Sequence, residues 1–129
     1  MASELKVDKF TGVTTAGSIS VTGEGNSTTT NLQQGLCKHW VAKGDMAGNE
    51  IDGETFNNAS YTDQATGQAR FNMTNPMSNA LYMVVANTEG YCYNTVVVDS
   101  DTWNQSNTND GGTSFADSFA SGGAWGDLA

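Results

Sequence analysis

The chain predicts an all-β protein, with an extended N-terminal arm followed by an antiparallel, jelly-roll-like β-sandwich body. Three observations lead there. Apolar residues make up only 37% of the 129, while Gly, Ser, Thr and Asn are abundant, a mixture suited to half-exposed strands and many turns. Residues 68–74 alternate without a break, Ala69, Phe71 and Met73 against Gln68, Arg70, Asn72 and Thr74, the period of a strand with one buried face. Turn chemistry brackets that run, with Asp63, Thr66 and Gly67 before it and Asn75-Pro76 after it, where proline offers no ladder donor.

A chain of this length suits one domain plus an arm. The arm is residues 1–35 and the body residues 36–129. Residues 3–10 alternate loosely, and residues 11–25 place glycines around Val13, Ile19 and Val21. A two-stranded ribbon of that kind is marginal in water, so the arm is either ordered by other chains or a disordered tail. Leu5, Val7, Phe10, Val13, Ile19 and Val21 are its candidate attachment residues. The polar stretch 26–35 accommodates a helical turn that Gly35 would end.

In the body, residues 36–43 form a first strand of mixed parity, residues 44–53 a turn-rich loop, and residues 54–62 a strand leading into a three-stranded meander over 59–87. The third strand of that meander, residues 80–86, is apolar on both sides. Such a strand is central in a sandwich or covered by a neighbouring subunit. Thr88-Glu89-Gly90 turns the chain into a strand over 91–98, and residues 99–112 read as a polar loop, a length that usually carries function or flexibility. A strand over 113–120, a turn at Ser121-Gly122-Gly123 and a short closing strand complete the order. Expected packing residues are Trp40, Phe71, Met73, Leu81, Tyr82, Met83, Val84, Trp125 and Leu128, for the core or for contact between subunits.

Charge narrows the function. The net charge is −9 and the five basic residues, Lys6, Lys9, Lys38, Lys43 and Arg70, are scattered. Neutralising phosphates needs clustered cations, so nucleic acid and anionic lipid are disfavoured partners. The first ten residues lack the apolar stretch of a secretory signal and no window reaches the roughly 20 apolar residues of a spanning helix; the expectation is a cytosolic product without membrane insertion, in which Cys37 and Cys92 are free and buried more often than paired.

Catalytic signals are weak. The lone His39 sits in a strand, the Cys37/His39 spacing lacks a third orienting group, and no nucleophile-elbow, zinc-protease, P-loop or dinucleotide motif occurs. No enzyme, cofactor or metal centre is expected. The oxygen-rich loop Asp99, Asp101, Asn104, Asn107, Asp110 lacks the glycine and terminal glutamate of an EF-hand and reads first as turn chemistry. With Trp103 at its middle, the same loop is the candidate receptor-contact site, an aromatic ring among amides suiting glycan or protein contact; the alternative is a loop tucked onto its own domain.

The arm SELKVDKFTG with GSISVTGEGNSTTTNLQQGL, the strand opening CKHWVAKG with Leu36, Lys38 and Trp40, the turn of Thr62, Asp63, Thr66 and Gly67, and the ending AWGDLA resemble short tail-fibre-like virion proteins of marine tailed bacteriophages. That resemblance covers most of the chain but not residues 99–112. It implies a homotrimeric, non-enzymatic structural protein located in the virion, with the arm attaching to other tail or capsid proteins and body loops touching a host surface glycan or protein. Two further readings stand beside it: a capsid decoration protein that stabilises the shell, and a carbohydrate-binding module.

Overall fold

The computed structural model describes residues 4–12, 19–22, 29–43, 46–47, 53–109 and 111–127. Val13, Asp110 and Leu128 lie outside them. Among the described residues ten strands form, all pairing antiparallel: β1 (Ser20–Thr22), β2 (Thr29–Asn31), β3 (His39–Lys43), β4 (Thr55–Phe56), β5 (Asn58–Ala65), β6 (Gln68–Met73), β7 (Met83–Thr88), β8 (Tyr91–Val97), β9 (Thr102–Thr108) and β10 (Ala120–Trp125). The one helical turn among the described residues, α1 (Leu32–Gly35), ends where Gly35 was expected to end it. β1 and β2 form a two-stranded ribbon joined to α1 by the Leu32 amide donating to the Ile19 carbonyl at 2.9 Å.

The other eight strands form two sheets, ordered β4-β3-β10-β7 and β5-β6-β9-β8. The hairpin β5–β6 closes on Thr66-Gly67, with Gly67 in the left-handed region at φ 67°, and β6 alternates half-buried and buried along its length as its pattern requires. The meander stops there. β6 pairs next with β9, while β7 joins the opposite sheet. Residues 74–82 make that crossing because Pro76 interrupts the ladder, and the Met77 amide, donating to the Ser100 carbonyl, and the Ser78 amide, donating to the Asp127 carbonyl, tie the crossing down. Of the jelly-roll-like body expected, the strand order supplies two antiparallel sheets around one core.

That core is centred on Trp103, which is fully buried. Its indole stacks on Phe71 at 4.5 Å, and Phe71 packs against Tyr61 at 5.3 Å. The tyrosine hydroxyl donates to the Met46 carbonyl. Across the gap β10 presents only Ala120, Gly122 and Ala124 inward. These small residues make room for the indole: a Cβ on Gly122 would sit 2.7 Å from Trp103 Cη2, closer than packed carbons approach.

Several expectations are corrected by this arrangement. Most of the polar loop expected over 99–112 is β9, an interior strand of its sheet entered by a turn over residues 98–101, so Trp103 and Asn107 face the core rather than a receptor. β9 carries amides inward because they bond one another. Gln105 Nε2 donates to Asn107 Oδ1 at 2.8 Å, and Asn107 Nδ2 donates to Thr88 Oγ1 at 2.9 Å. The turn expected at Ser121-Gly122-Gly123 is the middle of β10, whereas the strand expected over 113–120 is reduced to an isolated bridge between Thr108 and Phe115. Of the packing residues, Phe71, Met73 and Tyr82 are buried and Val84 packs against the core. Leu81 is 91% exposed, Met83 and Trp40 are exposed, and Trp125 lies on the outer face of its sheet.

Candidate functional site

The chemically versatile side chains are engaged in structure. His39 is buried in β3, its Nε2 paired with Asn58 Oδ1 at 2.9 Å and its Nδ1 accepting from Trp103 Nε1 at 3.3 Å. Both ring nitrogens therefore serve the core, in the neutral tautomer protonated at Nε2. Cys37 Sγ donates to the His39 carbonyl at 3.0 Å and lies beside Gly123. The thiol thus meets the backbone of residue 39, not its ring. Cys37 and Cys92 are free thiols. Asp99 and Asp101 build the turn between β8 and β9: Asp99 Oδ1 accepts the Asp101 amide at 3.1 Å, and Asp101 Oδ1 accepts the Thr102 hydroxyl at 2.7 Å. Hydrogen bonding from residues 101 and 102 holds the Asp99 carboxyl below its ordinary value. Asn104 faces outward to Arg70 and Asn107 faces inward, so the oxygen-rich set does not converge; among the described residues no three His, Cys, Asp or Glu side chains group as metal ligands.

His39 makes one pH prediction. Burial pushes its imidazole below the ordinary value of 6.5, against a smaller opposing effect of its bond to Asn58. The unfolded chain takes up a proton below pH 6.5 that the folded chain refuses, so stability is flat above 6.5 and declines on acidification from there to the folded-state value. The slope is at most about 1.4 kcal/mol per pH unit. Urea melts at pH 7.5 and 5.5 are expected to show the decline in the wild type and its disappearance in His39→Gln; equal declines in both would remove His39 as the source.

A cleft of about 370 Å³ lined by Lys38, Thr55, Phe56, Asn57, Asn58, Thr74 and Asn75 opens beside β4. Asn57, at φ 57°, holds it together, donating from Nδ2 to the carbonyls of Lys38 and Asn75 at 2.9 and 3.0 Å and accepting the Asn75 amide at 2.8 Å. These bonds join β3 to the crossing after β6, which is a positional role.

The outer faces of the two sheets differ sharply. On β5-β6-β9-β8 the outward side chains bond sideways: Arg70 Nε to Asn104 Oδ1 at 3.1 Å, Asn72 Nδ2 to Ser60 Oγ at 2.9 Å, Thr102 Oγ1 to Asn72 Oδ1 at 3.2 Å. Such a face is well solvated. On β4-β3-β10-β7 the register places Phe56, Trp40, Gly123 and Val85 in one row across all four strands, flanked by Ala42, Ser121 and Asn87 on one side and by Trp125 and Met83 on the other. None of these residues is charged. Phe56 is 52% exposed, Trp40 37%, Val85 53% and Met83 57%, together leaving on the order of 400 Å² of apolar side chain in water, a patch size that marks interaction sites.

Glycine shapes this face. Gly123 has the Trp125 ring and Cys37 Sγ over it, 3.0 and 3.1 Å from where a Cβ would stand. The result is an open apolar trough of about 370 Å³ whose walls include Cys37, Trp40, Val85 and Trp125. The arm is exposed in the same sense, with Leu5 at 74%, Phe10 at 62%, and Val7 and Val21 also in solvent. A third apolar group stands at the start of β8, where Tyr93 meets Phe115 edge to face at 5.7 Å and Tyr91 lies 3.7 Å from a Cβ position on Gly112; all three rings are exposed.

Sequence reading named the arm residues and Trp40 but placed Trp40, Met83 and Trp125 in packing roles, and it missed Phe56, Val85 and Phe115. The signal for Val85 was present in the two-sided apolar run 80–86. Phe56 and Phe115 carried none, being single aromatics in polar surroundings. No protein-family model, curated protein or solved structure matches the chain, so the site rests on its own geometry. Among the described residues no helix is long and apolar enough to cross a membrane.

Proposed function

We propose that the chain is a non-enzymatic structural protein of a tailed-bacteriophage virion, of tail-fibre or fibre-tip type, working as a homotrimer and attached to other virion proteins by its arm. The observation that carries this reading is the uncharged apolar outer face of β4-β3-β10-β7, set against a polar outer face on the other sheet. An acidic chain of net charge −9 repels its neighbours over most of its surface, and a charge-free face is where it tolerates contact. The resemblance of the arm and of the strand opening at Leu36 to phage tail-fibre-like proteins supplies the virion context. Host contact falls to Tyr91, Tyr93 and Phe115, the exposed rings at the start of β8, since the loop first expected to make it is folded inward.

That inward folding of Trp103 also favours a second reading, a decoration protein that stabilises the capsid shell and has no receptor to reach. Antibody labelling of purified particles by electron microscopy, paired with particles assembled without the protein, separates the two. Label at the tail with lost adsorption and intact capsids supports the fibre; label on the shell with capsids that rupture on warming supports decoration. Particles that never carry the protein would overturn both.

A further inference from the structure

We propose that the trough over Gly123 is the seat of the N-terminal arm of a second copy of this chain, with Leu5, Val7 and Phe10 of one copy covering the apolar row Phe56, Trp40, Val85 of the next. This requires only self-association; on the virion reading, residues 4–12 then join copies to one another and attachment to other virion proteins falls to the rest of the arm.

Three observations converge on the arm as occupant. The first is mutual exposure. Leu5, Val7 and Phe10 stand in solvent although an apolar face of the same chain is uncovered, so the two are unsatisfied on one copy and complementary between copies. A continuous stretch of residues 4–12 without secondary structure of its own suits insertion along a sheet face, which offers alternate side chains to alternate pockets.

The second is charge. Residues 4–10 hold Glu4, Lys6, Asp8 and Lys9, two of each sign, with Lys6 and Glu4 paired at 3.4 Å. This segment is neutral and the −9 resides on the rest of the chain. Brought against a neighbouring copy of net charge −9, this segment meets no net repulsion. The receiving rows, from Phe56 to Val85 with their flanks, contain no Asp, Glu, Lys or Arg.

The third is shape. Gly123 is the one position in its row without a side chain, and the Trp125 ring and Cys37 Sγ lie over it, so the floor of the trough between Trp40 and Val85 is apolar and set low. The exposed row by itself is smaller than the roughly 800 Å² per partner of a standard interface. Flat face-to-face pairing would therefore be marginal, while arm exchange adds the apolar surface of each arm to that of the face it covers.

Native Cys37 reports the contact directly, because its thiol borders the trough. Full-length Val7→Cys, oxidised with copper phenanthroline, is expected to give chains covalently joined between residue 7 of one copy and Cys37 of the next, up to a closed trimer, and to lose the link in Val7→Cys with Cys37→Ser. Phe10→Asp and Val85→Asp change exposed residues and should each convert the assembly to monomer without altering far-ultraviolet circular dichroism. Mixed together they should form a 1:1 heterodimer, since one retains an intact face and the other an intact arm. A disulfide within one chain, or a link to Cys92 in place of Cys37, would overturn the proposal. So would a monomeric wild type, or an assembly that Val85→Asp dissolves and Phe10→Asp leaves whole, which would assign face-to-face pairing instead. Each of these results is obtained on purified protein and leaves the virion reading standing or falling by its own labelling test.

Discussion

Trp103→Ala is expected to lower stability by about 3–5 kcal/mol, the range for deleting a fully buried large aromatic. Against a total of about 5–15 kcal/mol for a folded domain, that brings the chain close to unfolding at room temperature. The residue justifies the upper part of the range. It is fully buried, stacks on Phe71 at 4.5 Å, meets the His39 ring edge-on at 5.9 Å, and donates its indole N–H to His39 Nδ1. Alanine would open a cavity between the sheets and leave the buried His39 nitrogen without its donor. The surroundings cannot collapse into the space, because β10 opposes it with Ala120, Gly122 and Ala124 and nothing larger. Trp103→Phe keeps an aromatic stack and loses the donor, so it should fall between wild type and alanine. Urea denaturation monitored by circular dichroism measures both; a loss under about 1 kcal/mol for the alanine variant would contradict the core assignment.

Gly67→Ala is the second large effect. The glycine sits at φ 67°, and an alanine Cβ there would stand 2.6 Å from the Ala116 nitrogen, 2.6 Å from the Asn107 carbonyl oxygen and 2.9 Å from the Ala116 carbonyl oxygen. All three are backbone atoms that no rotamer change can move. They belong to a clamp: the Asn107 amide donates to the Gly67 carbonyl at 2.8 Å, and the Gly67 amide donates to Asp117 Oδ1 at 2.6 Å. The left-handed backbone alone disfavours alanine by about 1 kcal/mol, and displacing the clamp adds to it. A total loss on the order of 2–4 kcal/mol is expected. Gly35→Ala is the control, since a Cβ there meets nothing within 4 Å and its φ is ordinary; it should change stability by no more than about 0.5 kcal/mol. Equal effects at the two positions would show that the close approach around Gly67 is absent in solution.

The two positions also show which features were legible beforehand. Gly67 was readable because turn residues between two alternating runs identify a hairpin locally, within a dozen residues. Trp103 was not. Its neighbours Asn104, Gln105, Ser106 and Asn107 read as a solvated loop, since burying amides is unfavourable unless each finds a partner. For Asn107 those partners, Thr88, Ser118 and the Phe119 carbonyl, come from β7 and from the segment leading into β10, whose placement depends on the fold. The same holds for Gly122-Gly123, which locally means a turn and here means an interior strand under a tryptophan ring. Trp125 reads locally as a core plug and Trp40 as packing for the core or between subunits; strand parity turns both to the outer face, away from the core.

Local alternation, turn residues and composition by themselves determined that this chain is all-β, that a hairpin closes at Thr66-Gly67, that α1 stops at Gly35, and that Phe71 and Met73 point into a core, because each follows from contacts or backbone preferences among near neighbours. Only the tertiary structure decided which strand lies beside which, that β7 leaves its hairpin partners for the other sheet, that Trp103 is the centre of the core, and that Phe56, Trp40 and Val85 line up on an uncovered face. Those outcomes depend on pairings between residues far apart in sequence, where register decides whether an aromatic ring faces the core or the solvent.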